Sequence, residues 1–185
     1  MKKNIIKIIT FCMVAFAVFW VCRIISVNKN ANSNVVYKLG EEIDKGTVSL
    51  KATESFLLAK EEFEKKFETE IPDVYEGEYL ILCVRFNFEN KTDYDISWDE
   101  LFAYTDMGFE TVTWASMIDP LLGNKINVLK TETFEAGTTQ EIWYATPVNK
   151  VCFKEKNWNN ISDYEFFYVL SLSPNKETIA LEIHN

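Results

Sequence analysis

The sequence predicts a mostly-β chain, an antiparallel β-sandwich with one short helix, preceded by a single N-terminal transmembrane or signal helix. Three observations predict it. A charge-free apolar run follows three lysines at the N-terminus. From residue 35 onward, apolar side chains recur with period two rather than 3.6. Clusters of Asn, Asp, Gly and Thr interrupt these runs at short intervals, which is the punctuation of a sandwich. The 185 residues suit one domain with a short appendage. A body of ~150 residues buries roughly 68–70% of its unfolded surface, enough for one core.

The first element is the apolar run. Lys2, Lys3 and Lys7 precede residues 8–22, which carry no charge, and after Arg23 the run continues to Val27. Twenty helical residues span ~30 Å, the thickness of a bilayer core. Arg23 and Trp20 stand near one end, where an arginine snorkels and an indole sits at headgroup level. Residues 1–27 therefore read as a retained signal anchor. The alternative is a secretory signal cleaved at Ala31-Asn32-Ser33, which would release the rest as a secreted protein. In either case the lysines stay inside and the remainder is exported. Residues 28–34, Asn-rich and polar, read as a tether, and residues 35–185 as the extracytoplasmic domain.

Within that domain, Val48, Leu50, Ala52, Phe56 and Leu58 alternate with polar residues, and Glu54 interrupts their face. Residues 60–67 read as the one short helix. Phe63 and Phe67 share a face there, and Glu61/Lys65 and Glu62/Lys66 form i,i+4 pairs on the other. Pro72 forbids its continuation, and the helix is expected to plug an open edge or end of the sandwich. Residues 79–90 give the clearest strand: Leu80, Leu82, Val84, Phe86 and Phe88 on one face, with Cys83, Arg85, Asn87 and Glu89 on a more polar one. Further strands are expected at 96–104, 109–115, 141–146, 164–173 and 178–183, separated by turns at 90–93, 106–108, 123–124 and 136–137.

Charge and rare residues narrow the chemistry. Residues 1–30 hold five basic side chains and no acid, so residues 31–185 carry 14 basic against 28 acidic, a net −14. Such a body repels phosphate backbones and anionic lipid, which argues against nucleic-acid binding and favours cationic partners. The single histidine, His184, is the penultimate residue, so multi-histidine zinc sites within one chain are excluded and a histidine-based triad would hang on a chain end. Of four cysteines, Cys12 and Cys22 fall in the apolar run; Cys83 and Cys152 are either one disulfide or two reduced packing residues. No cofactor motif is present.

Four constellations are candidates for function, each beside a plainer reading. Asp93, Asp95 and Asp99 alternate as calcium ligands do, although Trp98 and Tyr104 stand where an EF-hand loop needs Gly and Glu. The plainer reading is a turn followed by the solvent face of a strand. Residues 61–78 hold eight acids and two lysines, a solvated loop or a binding surface. Glu54 and Glu100 both fall in apolar phases, which makes them candidates for acid–base work if they meet; a bulge turning each outward is simpler. Trp98, Trp114, Trp143 and Trp158 are either a stacking platform or core and end caps.

The order of features resembles an exported bacterial family, domain of unknown function 5028. The residues that carry the resemblance are the Lys-rich apolar start, Leu39-Gly40-Glu41-Glu42, residues 48–54 followed by the Phe-containing acidic helix 61–67, the strand 79–90 ending in Asn90, and the Gly137 turn leading into 142–147. The chain is also similar to exported immunoglobulin-like domains with an Asp-x-Gly turn, here Asp106-Met107-Gly108. The resemblance covers about residues 1–150 and implies an immunoglobulin-like sandwich tethered to, or secreted from, a bacterial envelope. It carries over no functional residues. The function expected is that of a membrane-anchored, non-enzymatic binding module whose partner is an envelope protein or a cationic ligand. A carboxylate-dependent envelope hydrolase and a divalent-metal-binding module are the alternatives.

Overall fold

The computed structural model describes residues 2–29, 34–102, 107–127, 133–173 and 175–184. The cleavage motif at 31–33 and the Asp106 and Tyr104 positions lie outside them. The first element is the helix α1 (Lys2–Lys29). Its side chains are described over 13–26, and all of these are exposed, including Met13, Phe16, Phe19, Trp20 and Ile24. Among the described residues, no helix is long and apolar enough to cross a membrane.

The body follows as β1 (Val35–Lys38), β2 (Glu42–Asp44), β3 (Val48–Leu58), α2 (Lys60–Phe67), β4 (Tyr79–Asn90), β5 (Ile96–Ser97) and α3 (Trp98–Phe102). Next come β6 (Gly108–Glu110), β7 (Ala115–Ser116), α4 (Pro120–Ile126), β8 (Thr133–Phe134) and β9 (Thr139–Asn149). The chain ends with α5 (Glu155–Trp158), β10 (Phe166–Ser171), β11 (Glu177–Leu181) and β12 (Ile183–His184). One sheet has the order β1-β11-β10-β6-β7. The facing sheet has the order β12-β3-β4-β9, with β2 also on β3, and β5 and β8 form a separate ribbon. The chain is therefore a β-sandwich.

Period-two alternation puts one face of each long strand into the shared core. Leu82, Val84, Phe86 and Phe88 of β4 and Ile142, Tyr144 and Val148 of β9 meet Phe109, Phe166, Tyr168 and Ile179 of the facing sheet. Tyr168 is the hub. Its ring lies 4.9 Å from Phe86 and 5.1 Å edge-on from Phe109; such pairs add about 0.5–1.5 kcal/mol each beyond burial. Asn90 ends β4 wholly buried. Its Nδ2 donates to the Tyr94 and Phe134 carbonyls at 3.0 Å each, and its Oδ1 accepts from the Thr92 amide. It thereby ties the following loop to β8.

Several expectations are corrected. The sandwich is not wholly antiparallel: β1 runs parallel to β11, and β12 parallel to β3. The second arises where the chain leaves β11 in one sheet and reaches β3 in the other within two residues. The body has four short α-helices among its described residues rather than one. Residues 98–102, expected as strand, form α3, with Trp98 and Leu101 inward and the Ser97 hydroxyl accepting from the Glu100 amide at 3.2 Å. The expected strand 109–115 is a hairpin, β6 and β7, turned by residues 111–114.

The helix α2 does not plug an edge. It lies on the outer face of the second sheet, where Phe63 packs with Leu58, Ile71, Ile81, Cys83, Ala145 and Leu122 of α4 in a second apolar cluster. This third layer explains why Cys83, expected on a polar face, is completely buried. Glu62 reaches back to accept from the Ala59 amide at 3.0 Å, and the helix ends at Glu68 in the left-handed region (φ 50°).

Candidate functional site

The strand β9 is the last of its sheet, so among the described residues one of its edges has no strand partner. An open edge of eleven residues would invite pairing with other chains. Pro147, with no amide hydrogen, suits such an edge. The segment 117–127 covers much of the rest. The Asp119 amide donates to the Ala145 carbonyl at 2.8 Å. Eight residues on, the Asn127 side chain does the work of a strand peptide. Its Nδ2 donates to the Trp143 carbonyl at 2.7 Å, and its Oδ1 accepts from the Trp143 amide at 2.8 Å. Nδ2 also donates to the Gly123 carbonyl at 3.0 Å, which ties the cap to its own helix.

Between these anchors sits α4. Asp119 is its N-cap, Oδ1 accepting from the Leu121 and Leu122 amides at 2.8 and 3.3 Å, with Pro120 at the first helical position. The other oxygen, Oδ2, accepts from the Tyr75 hydroxyl at 2.9 Å. Burial and then this bond to a carboxylate push the Tyr75 phenol well above its ordinary value, so it remains a donor throughout the physiological range. The 68–78 loop, the helix α4 and the edge of β9 are thus locked together.

A cleft remains between α4 and the edge of β9. Its volume is about 540 Å³, and its walls include Phe102, Ile118, Ile142, Trp143 and Tyr144, with Gly123, Asn124 and Asn127 on the helix side. A hollow of about 230 Å³ adjoins it, lined by Phe109, Ala115, Val169 and Leu172 among others. Met117 borders both and is 73% exposed. Clefts of a few hundred Å³ with apolar walls and a few polar groups are the usual form of a binding site.

The residues singled out from sequence are mostly not in this cleft. Asp95 is a turn acceptor for the Ala136 amide at 2.9 Å. Asp93 and Asp99 are exposed, and among the described residues no three His, Cys, Asp or Glu side chains converge to hold a metal ion. The register of β3 on β4 shifts between Ala52 and Glu54, a bulge that turns Glu54 outward onto Arg85 at 2.5 Å; Glu141 approaches the same guanidinium at 3.5 Å. Glu100 is exposed on α3, so the two carboxylates are not brought together as a catalytic pair.

The tryptophans do not form a platform. Trp98 stacks on Phe134 in the core, Trp114 packs against Phe153 and Phe166, and Trp158 donates its indole N–H to Glu78 at 2.7 Å. Trp143 alone lines the cleft, with Lys66 and Arg85 over its ring at 5.9 and 5.8 Å. His184 is exposed on β12 beside Phe56. Cys83 and Cys152 are both free, the first buried and the second exposed, so the disulfide alternative falls. Sequence reading missed Asn127 and Asp119. The Asp119-Pro120 pair is a helix-start signal that was there to be read; nothing local marks Asn127, whose role exists only against β9.

No protein-family model and no curated protein matches the chain. Among solved structures it is similar to a conserved hypothetical protein from Bacillus anthracis, at 10% identity and TM-score 0.46 over 71% of this chain and 87% of that one. It is also similar to an uncharacterised β-sandwich protein from Clostridium difficile 630, at 9% identity and TM-score 0.45 over 80% and 95%. A third is the yjhA protein from Bacillus subtilis, at 12% identity and TM-score 0.42 over 78% and 99%.

Proposed function

We propose that this chain is a membrane-anchored, extracytoplasmic binding module of a bacterial envelope, of the exported family that domain of unknown function 5028 describes, and that it recognises its partner without transforming it. The observation that carries this reading is the apolar cleft beneath α4, open to solvent beside exposed Met117. The anchor is supported by the sequence run 8–27 behind its lysines, and by apolar side chains exposed along the described part of α1, which water does not favour. An immunoglobulin-like arrangement is supported by the strand orders. The partners β3-β4-β9 and β11-β10-β6-β7 follow each other as strands A-B-E and G-F-C-C′ do in that fold.

The same register gives the module a direction. Val35, next to the tether, pairs with Glu177, and Glu177 is ion-paired with Lys45 in the β2–β3 turn. The acidic stretch 61–78 leaves from the opposite end of β3 and enters β4 there. An anchored body would hold its acidic end away from the bilayer.

The test uses the full chain in its own envelope. Carbonate-washed membranes should retain it, and protease added to intact spheroplasts should remove the body. A photocrosslinking residue at position 117 should give a discrete adduct that the same residue at Val151, 90% exposed elsewhere, does not give. A protected body, or adducts independent of position, would refute the reading.

A further inference from the structure

We infer that the apolar rim at the tether end of the β1-β11-β10-β6-β7 sheet, formed by Val36, Met107 and Leu172, docks on the surface of the bilayer that holds α1; this depends on the membrane-anchored reading above. The strand register builds the rim. Val36 pairs with Thr178, Thr178 with Val169, and Val169 with Gly108. A Cβ built on Gly108 would lie 2.9 Å from the Met117 Cα, so Met117 closes the row. Tyr37, next to Val36, packs against the core, which puts the row on the outer face of the sheet. Four strand spacings make it about 19 Å wide. The row lies one residue in from Val35, where the tether enters, and Met107 and the β10–β11 turn with Leu172 flank it. Val36, Leu172 and Met117 are 56%, 57% and 73% exposed, and Met107 36%. Water does not favour so much apolar surface gathered at one end.

Two observations choose lipid as what covers the rim. The first is reach. The helix α1 ends at Lys29, and the six residue steps from there to Val35 cover at most about 22 Å. A body held that close to the end of its anchor keeps its tether end at the headgroups. The short link also makes the effective concentration of bilayer high enough for a small apolar contact to form. The second is charge. Beside the rim, Lys176 pairs with Glu110 at 2.6 Å, Lys45 pairs with Glu177, and the Glu41 carboxylate accepts from the Lys38 amide at 2.9 Å. The exposed acids of the same end, Asp93, Asp95 and Glu135, belong to loops of the other layer. Charged groups keep their water, so that layer stays lifted and the body leans on the apolar rim. The row ends at Met117, where the cleft opens, so a partner in the cleft is met beside the bilayer.

The experiment uses the full chain in phosphatidylcholine nanodiscs. Dansylalanine is placed at position 172, at 107, or at 151, which follows the end of β9 that pairs with Tyr79 and so lies at the opposite end of the body. Phosphatidylcholine spin-labelled near its headgroup should quench the dye at 172 and 107 about twofold or more and leave it unquenched at 151. The double change Val36→Thr, Leu172→Asn, at two exposed positions, should cut the quenching at 107 about threefold with no fall in melting temperature. Added salt should not weaken the contact, because burial of apolar side chains drives it. A dye at 172 quenched no more than one at 151 overturns the inference, as does quenching at 107 that the folded double variant keeps. So does a blue-shifted dye at 172 that the spin label does not reach, since a second copy or another protein then covers the rim. Release of the chain by carbonate removes the anchor and this inference with it. A chain that stays in the membrane with its rim unquenched leaves the binding module standing and removes only the docked posture.

Discussion

Asn127 is the residue on which the edge of β9 most depends, and its removal tests how the cleft is built. Asn127→Ala deletes three hydrogen bonds: two to the Trp143 backbone and one to the Gly123 carbonyl. Each contributes about 0.5–1.5 kcal/mol net. Trp143 is only half-buried, so water partly replaces what is lost, and the lower half of the range applies. The sum is about 1.5–3 kcal/mol. For a body of this size, 1 kcal/mol shifts the melting temperature by about 2–4 °C, which gives a fall of about 3–12 °C. Hydrogen exchange is the sharper assay. The Trp143 amide loses its acceptor and should exchange roughly 10–150-fold faster, since each tenfold is about 1.4 kcal/mol. A melting temperature within about 2 °C of the parent, with unchanged exchange at Trp143, would refute the view that a side-chain amide seals this edge.

Three further outcomes are expected. Gly108 adopts φ +136°, and a Cβ there would sit 2.2 Å from the Ser116 carbonyl oxygen, so Gly108→Ala should lower the urea midpoint by the equivalent of about 2 kcal/mol or more, whereas Gly123→Ala should leave it unchanged or raise it. The Glu78 carboxyl is held below its ordinary 4.5 by hydrogen bonds from Lys150 and then Trp158. Its stabilising contribution is therefore full above pH 4.5 and fades as the pH falls through the lower, folded-state value. Parent and Glu78→Gln should accordingly differ in melting temperature at pH 7 and converge in acid; a gap that persists at pH 2 would contradict this. Burial pushes the Cys83 thiol up to about 12. Maleimide at pH 7.5 should thus label exposed Cys152 in the native chain and reach Cys83 only on unfolding, as read by mass spectrometry of the digest.

What was legible in the sequence follows from local physics. Alternation in 79–90 marked β4 to the residue, and 48–52 marked the first half of β3, because a strand with one face against the core must repeat every two positions; past the bulge the phase inverts, so Leu57 enters the shared core while Phe56 and Leu58 turn to the α2 layer. Phe63 and Phe67 four apart, with Glu–Lys pairs opposite, marked α2 for the same kind of reason. Glu54 in an apolar phase signalled a bulge, and the register shift sits there. The segment 98–102 was misread because Trp98, Leu101 and Phe102 fit a helical stripe as well as a strand over so short a stretch, and the Ser97 contact tipped the balance.

The sequence by itself determined that residues 35–185 are mostly β, that this body is acidic, and that a multi-histidine zinc site within one chain is excluded; these depend on composition and nearest-neighbour spacing. Only the tertiary structure decided that Cys83 lies under α2, that β12 returns parallel to β3, and that Asn127 stands in for a strand beside Trp143. Each of these depends on which surface a distant segment covers. A side chain's periodicity records that it is apolar or polar, and says nothing of a partner sixteen or a hundred residues away.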